Sequence, residues 1–258
     1  MRGAESRARA KTTGGSPADH GPCPTPVATS PVFEARSAHR AMPPISPITS
    51  AVVKIGSHMD LLETMSEFRR EASWAVWETD PGGNLTGEMQ FPLDQAPPVI
   101  NGRAMFVSLN PGSDRATETA ETTPDWSNFH SQLPKHNDVF LAEAIVGTPF
   151  WGSYMTDLHP DIAESDSRLI RSKPEEIELS VLSLISQGQK LGDVKTLICV
   201  GNISFDSVIR YSSLLQTELG LPSGSIVRIP HYSRAAAGVH KHVASRYRAL
   251  VHEALVLA

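Results

Sequence analysis

Four short apolar runs, each of strand length and each cut off by a polar loop, constrain this chain more than any other feature. They occupy residues 105–109, 151–158, 196–200 and 226–230, and amphipathic stretches lie between them. Strands alternating with helices imply β-α-β crossovers of right-handed sense, hence a parallel sheet with helices on both faces. The expected fold is therefore α/β, a three-layer α/β/α sandwich on a central four-stranded parallel sheet. The strand ends carry Asn110-Pro111-Gly112, Thr156-Asp157, Gly201-Asn202 and His231-Tyr232-Ser233. In a parallel sheet those ends share one edge, and ligands of open α/β sheets bind outside it.

The helices are read from spacing and caps. Leu61, Leu62, Met65, Phe68, Ala72, Ala75 and Val76 recur at three and four, which predicts a helix over 59–78, ended by Asp80-Pro81-Gly82-Gly83. A second helix is capped near Asn137, presents Phe140, Leu141, Ala144 and Ile145 on one face, and closes at Gly147. Ser172-Lys173-Pro174-Glu175 reads as a capping box with an early proline and opens a helix to about Gln187. Further helices are expected over 202–219, with Gly220 beyond, and over 239–257.

Composition bounds the rest. Residues 1–57, with eight prolines and no helical or strand period, are expected to form a disordered, dispensable tail before a single domain over 58–258. Cys23 and Cys199 are the only cysteines, which excludes a four-cysteine metal site within this chain and suits a reducing, cytoplasmic compartment. No apolar run approaches the roughly 20 residues of a membrane helix. The net charge is -5, yet from Ile226 onward five Arg and Lys and four His face one acid, Glu253. Arg234, Lys241 and Arg246 from that basic end are the expected phosphate contacts, since backbone contacts position a duplex without reading it. His240 and His242 lack a placed carboxylate partner, so no metal is expected.

Taken alone, Asn110-Pro111-Gly112 reads as a plain turn. The set of four strand ends adds a resemblance: the chain is similar to the uracil-DNA glycosylase superfamily, nearest its mismatch-specific, thymine-glycosylase-like branch in the first motif. Phe106-Val107-Ser108-Leu109-Asn110-Pro111-Gly112 resembles that branch's Gly-Ile-Asn-Pro-Gly, with Ser108 in place of the first glycine. Tyr154-Met155-Thr156-Asp157 resembles the second-strand motif, Ile198-Cys199-Val200-Gly201 the third strand, and Pro230-His231-Tyr232-Ser233 the closing His-Pro-Ser or Asn-Pro-Ser. The resemblance covers about residues 100–250.

It implies a monofunctional DNA base-excision hydrolase, a monomer that needs no cofactor and takes DNA with a flipped base as its partner. Cleavage leaves positive charge on the sugar and negative charge on the departing base, so such a site needs donors aimed at the base and a positioned water. By the resemblance, Asn110 holds the water through its side-chain carbonyl and His231 donates to the base. Gly112 and Ser113 allow close backbone approach; Asn202 and Ser233 are further contacts. Phe129 is the expected stacking aromatic, with Trp126 and Trp151 as rivals. Asp157 departs from the family's Asn, because an ionised carboxylate only accepts hydrogen bonds and suits an exocyclic amine better than uracil O4. Either Asp157 is protonated, or it sits off the base, or the preferred base is not uracil.

Two other readings stand beside this one. The first is a nucleic-acid-binding member of the same fold with weak or no catalysis. The second is an unrelated small-molecule enzyme or nucleotide-binding protein using the same sheet edge, disfavoured because no Gly-x-Gly-x-x-Gly or Gly-Lys-Ser/Thr loop follows any strand.

Overall fold

A computed structural model describes residues 58–112, 124–164, 170, 172–233 and 237–256, all within one compact unit, Ala51–Ala258. The 1–57 tail expected from the sequence lies outside the described residues. In chain order the first elements are α1 (His58–Thr64), a 3-10 turn (Ser66–Phe68), β1 (Ser73–Trp74), β2 (Asn101–Ser108), α2 (Asp138–Ile145) and β3 (Ser153–Asp157). There follow α3 (Pro174–Leu191), β4 (Thr196–Val200), α4 (Asn202–Ile209), α5 (Ser212–Leu219), β5 (Ile226–Ile229), α6 (Ala237–His240) and α7 (Ala244–Val256).

The sheet order is β1-β3-β2-β4-β5. β2 pairs in parallel with β3 on one side and β4 on the other, and β4 pairs in parallel with β5. The sheet is mixed and five-stranded, not four-stranded and purely parallel, because β1 pairs antiparallel with β3. That strand lies inside the helix expected over 59–78, which actually stops at Thr64 with one further 3-10 turn. The physical reason is burial: residues 72–77 are buried without a break, Trp74 and Trp77 included. A helix there would turn some of those side chains to solvent, whereas a strand against β3 covers both faces.

Strand alternation divides the interior into two cores. Met105 and Val107 of β2 with Leu197 and Cys199 of β4 face a core shared with α3 and α5. Ala104, Phe106, Ile198 and Val200 face the other, shared with α2 and α7. Side chains one residue apart point to opposite faces, so unbroken apolar runs are what a sheet covered on both sides demands. Cys199 is fully buried in the middle of β4, and burial pushes its thiol pKa up to about 12.

Two expected helices are broken. The 202–219 stretch divides at Arg210-Tyr211 into α4, which packs on β4 and β5, and α5, which packs on α3. The C-terminal helix divides into α6 and α7 because Lys241 and His242 take left-handed φ of 53° and 56°. That break sets His240 against Phe140 and Tyr247, with ring centroids 5.5 and 5.6 Å away. Helix α3 begins one residue later than its capping signal suggests. Glu176 Oε2 accepts the Lys173 N–H at 2.9 Å, and the reciprocal half of the box is missing because a lysine ammonium has no lone pair.

Candidate functional site

The carboxyl ends of the four parallel strands open on one cleft of about 1440 Å³. Its floor is Leu109 to Gly112 after β2, Asp157 at the tip of β3, Gly201 and Asn202 after β4, and Pro230 to Ser233 after β5. The loop ahead of α2 supplies one wall, with Asn128, Phe129 and His130. Because β3 and β4 flank β2 on opposite sides, the chain reverses its winding at the β2 end, the switch point where α/β sheets leave a crevice.

Asn110 is fixed by the loops it joins. Its Nδ2 donates to the carbonyls of Pro111 (2.7 Å), Ile162 (2.9 Å) and Glu164 (2.7 Å), tying the β2 end to the segment after β3. All donor capacity is thereby turned into protein. Oδ1, which cannot exchange places with Nδ2 without losing those bonds, has no partner among the described residues.

His231 is oriented as firmly. Its Nδ1 accepts the Ser233 N–H at 3.1 Å, and its ring stacks on Tyr232 with centroids 4.9 Å apart. Burial, followed by the nearby His240 and His136 imidazoles, pushes its pKa down to about 4. The ring is therefore neutral near pH 7, with its single proton on Nε2, since Nδ1 is already an acceptor. Ser233 acts here as an orienting donor to His231.

Of the three aromatics weighed as stackers, only Phe129 lines the cleft. Trp126 packs on Trp74, centroids 5.9 Å apart, and Trp151 on Trp77 at 6.0 Å. Phe129 carries φ of 65°, an unusual state for a bulky residue and one that concentrates at functional sites. Its N–H donates to Asn128 Oδ1 at 3.2 Å. The Asn128 amide also donates to the Glu71 carbonyl at 2.7 Å and to Asp157 Oδ2 at 2.8 Å. One side chain thus positions both the aromatic wall and the buried carboxylate at the β3 tip. Asp157 itself is 3% exposed.

Several expected site residues stand elsewhere. Lys241 and Arg246 are exposed and do not line the cleft. Lys135 and Arg228 do, the latter with its guanidinium carbon 5.6 Å from the centre of the Phe205 ring. Ser113 and Arg234 lie outside the described residues. Gly112 borders the cleft, where a β-carbon would sit 3.3 Å from His136 Nε2. Asn202 is the exposed first residue of α4. Among the described residues no three His, Cys, Asp or Glu side chains are grouped to hold a metal, and no helix is long and apolar enough to cross a membrane.

Sequence reasoning did not find Asn128, His130 or Asp138. His130 is buried with Nδ1 3.1 Å from the Met89 carbonyl and Nε2 3.2 Å from the Trp74 carbonyl. Desolvation outweighs those two acceptors and holds its pKa at about 4. Asp138, the first residue of α2, is also buried, and desolvation raises its pKa to about 7 against the opposing Ser131 N–H. The sequence signal for Asp138 was its place after the Asn137 cap. A carboxylate there reads as a partner of the helix dipole, and nothing local reports that the 124–136 loop folds over it.

No protein-family model and no curated protein matches the chain.

Proposed function

We propose that this cleft hydrolyses the N-glycosidic bond of a damaged or mismatched base in DNA, on the pattern of the uracil-DNA glycosylases. The observation that carries the reading is the convergence, on one cleft, of an oriented amide oxygen at Asn110, a neutral imidazole at His231 and an aromatic wall at Phe129. Each meets a different demand of the reaction. Stacking on Phe129, worth roughly 1–3 kcal/mol, offsets the few kcal/mol of extruding a weakly paired base. Asn110 Oδ1 accepts a hydrogen bond from the attacking water and aims it at the sugar carbon. As the C–N bond breaks, its electron pair goes to the base, and the His231 Nε2–H donates to the oxygen where that charge gathers. Lys135 and Arg228 are the cations suited to flanking phosphates.

The test is base release from oligonucleotides carrying uracil, hypoxanthine or a mismatch. Loss of one positioned donor typically costs a factor of roughly 10² to 10³ in rate, so His231→Ala is expected to fall by that much and Asn110→Ala at least as far. Absence of any base release by the folded protein across the panel overturns the reading. One observation favours a second reading, a binding module of the same fold: the three carbonyls on Asn110 give that side chain a structural task without any water. Lesion binding that survives both substitutions and weakens with salt is the outcome expected of it.

A further inference from the structure

Asp138 is a buried carboxyl of the cleft that the scheme above leaves idle. It is 4% exposed yet contributes to the cleft lining with Asn110 and His231. Its single hydrogen bond among the described residues is accepted from the Ser131 N–H, at 2.6 Å, and it has no ion-pair partner there. A buried carboxylate with one amide donor and no cation is an unstable arrangement unless the group is held for its chemistry. Its frame is shared with His231: the Asn137 side chain, one residue before it, donates to the Tyr232 carbonyl at 3.1 Å. Burial first, and then the nearby Asp138 charge, raise the pKa of the Tyr232 hydroxyl.

The glycosidase scheme lacks a proton acceptor. An amide can orient a water but has almost no basicity, whereas general-base assistance contributes typically 10² to 10⁴ in rate. We propose that Asp138 is the general base of this cleft, accepting through cleft water the proton released by the Asn110-held nucleophile. The inference rests on the glycosidase reading. In the balanced step the water oxygen bonds to the sugar carbon as the C–N bond breaks. The bond's electron pair leaves with the base, and one water proton moves to the Asp138 carboxylate. The protonated carboxyl then returns that proton to the departing base or to solvent.

The titratable and charged groups on the surrounding elements are Asp157 at the β3 tip, Arg228 on β5, His231 and Tyr232 after it, His240 on α6, Tyr247 on α7, and His130, Lys135 and His136 in the loop before α2. His130 and His231 are held down near 4 and both tyrosines are raised. Asp138, raised to about 7, then governs activity near neutrality, with the ionised form active. His136→Gln serves as the control for the other imidazole of that loop.

The experiment is single-turnover base release against pH for the wild type, Asp138→Asn, Asp138→Glu and His136→Gln, with circular dichroism confirming each fold. The wild-type rate is expected to rise about tenfold per pH unit below 7 and level off above it, as a single ionisation requires. Asp138→Asn, which keeps an acceptor for the Ser131 N–H, is expected to lower the plateau about 10² or more and flatten the profile, with partial recovery in Asp138→Glu. His136→Gln, whatever it does to the plateau through its neighbour His231, keeps the wild-type midpoint. Base release by Asp138→Asn with wild-type rate and pH dependence overturns the proposal while leaving the glycosidase reading intact. A wild-type profile that is flat between pH 5 and 8 overturns it without any variant. If the wild type releases no base at all, both fall together.

Discussion

Gly201 offers the sharpest test of how the cleft is built. It sits at φ 91° and ψ 167°, between β4 and α4, in a backbone region that is essentially reserved for glycine. Its conformation is pinned from both ends: its N–H donates to the Ile229 carbonyl at 2.9 Å and its carbonyl accepts the Phe205 N–H at 3.3 Å. A β-carbon at this position would lie 3.4 Å from His231 Cβ and 3.6 Å from its Cδ2, which is ordinary contact. Space is therefore available, and the cost of Gly201→Ala lies in the backbone. That cost is about 2–3 kcal/mol for a residue forced into this region, reduced by about 0.4–1 kcal/mol because alanine also restricts the unfolded chain. The net loss is about 1–2.5 kcal/mol, or a factor of roughly 5 to 70 in the folding equilibrium.

Gly220→Ala is the matched control. Gly220 has φ 62° and ψ 32°, and a β-carbon added there would meet nothing within 4 Å, so it needs only the ordinary left-handed state, at about 1 kcal/mol. The unfolded-state contribution cancels between the two variants. Urea titrations at pH 7 should rank Gly201→Ala as less stable than Gly220→Ala by about 1 kcal/mol or more. Equal midpoints would refute the claim that the β4 end is held in a glycine-only conformation. Base release adds a second readout, since relaxation of the strained peptide must displace the neighbour of His231.

Other outcomes follow from the same geometry. Asp157→Asn restores a side chain that both donates and accepts, and should raise the rate on uracil relative to an amine-bearing base by about tenfold or more; an unchanged ratio would remove Asp157 from base recognition. Phe129→Ala should weaken lesion binding by a factor of roughly 5 to 150, whereas Trp126→Phe, in the opposite core, should alter the urea midpoint and leave binding alone. Acidification from pH 7 to 4 loads protons onto the unfolded chain at His130 and His231, whose folded pKa values near 4 withhold about 3 kcal/mol of stability each as pH falls below 6.5. Asp138 acts in the opposite sense, since its folded carboxyl, at about 7, binds a proton before the unfolded one does and returns about 3 kcal/mol over the same interval. Asp138→Asn should therefore be markedly more acid-labile than the wild type in urea titrations at the two pH values, and an equal loss would contradict its buried, proton-binding state.

The parts of the fold legible in the sequence were those with a local signature. The four parallel strands are apolar runs stopped by Asn-Pro-Gly, Asp, Gly-Asn and His, and all four stops border the cleft. What escaped depends on partners distant in the chain. β1 was masked because Ala72, Ala75 and Val76 satisfy a helical period as well as a buried strand, and only pairing with β3 decides between them. The breaks at Tyr211 and at Lys241-His242 carry no Gly or Pro to announce them; the second shows only in positive φ values. In the site, Asn110 and His231 were marked by their strand-end positions and the glycosylase resemblance, and Phe129 as the stacking aromatic that resemblance implies; all three border the cleft. Asn128 and Asp138 were hidden because their meaning arises from what folds against them, the Asp157 carboxylate in one case and the Ser131 backbone in the other.

Cys199 gives an inner strand of the sheet a built-in chemical clock. A thiol held at about 12 and sealed in β4 reacts with an alkylating reagent only when that strand is exposed, because the thiolate is the reactive form. With Cys23 replaced by serine, every labelling event reports an opening of β4, two residues from the Gly201 turn. The ratio of labelling rates with and without a lesion-bearing oligonucleotide then measures how strongly occupancy of the cleft holds the sheet shut.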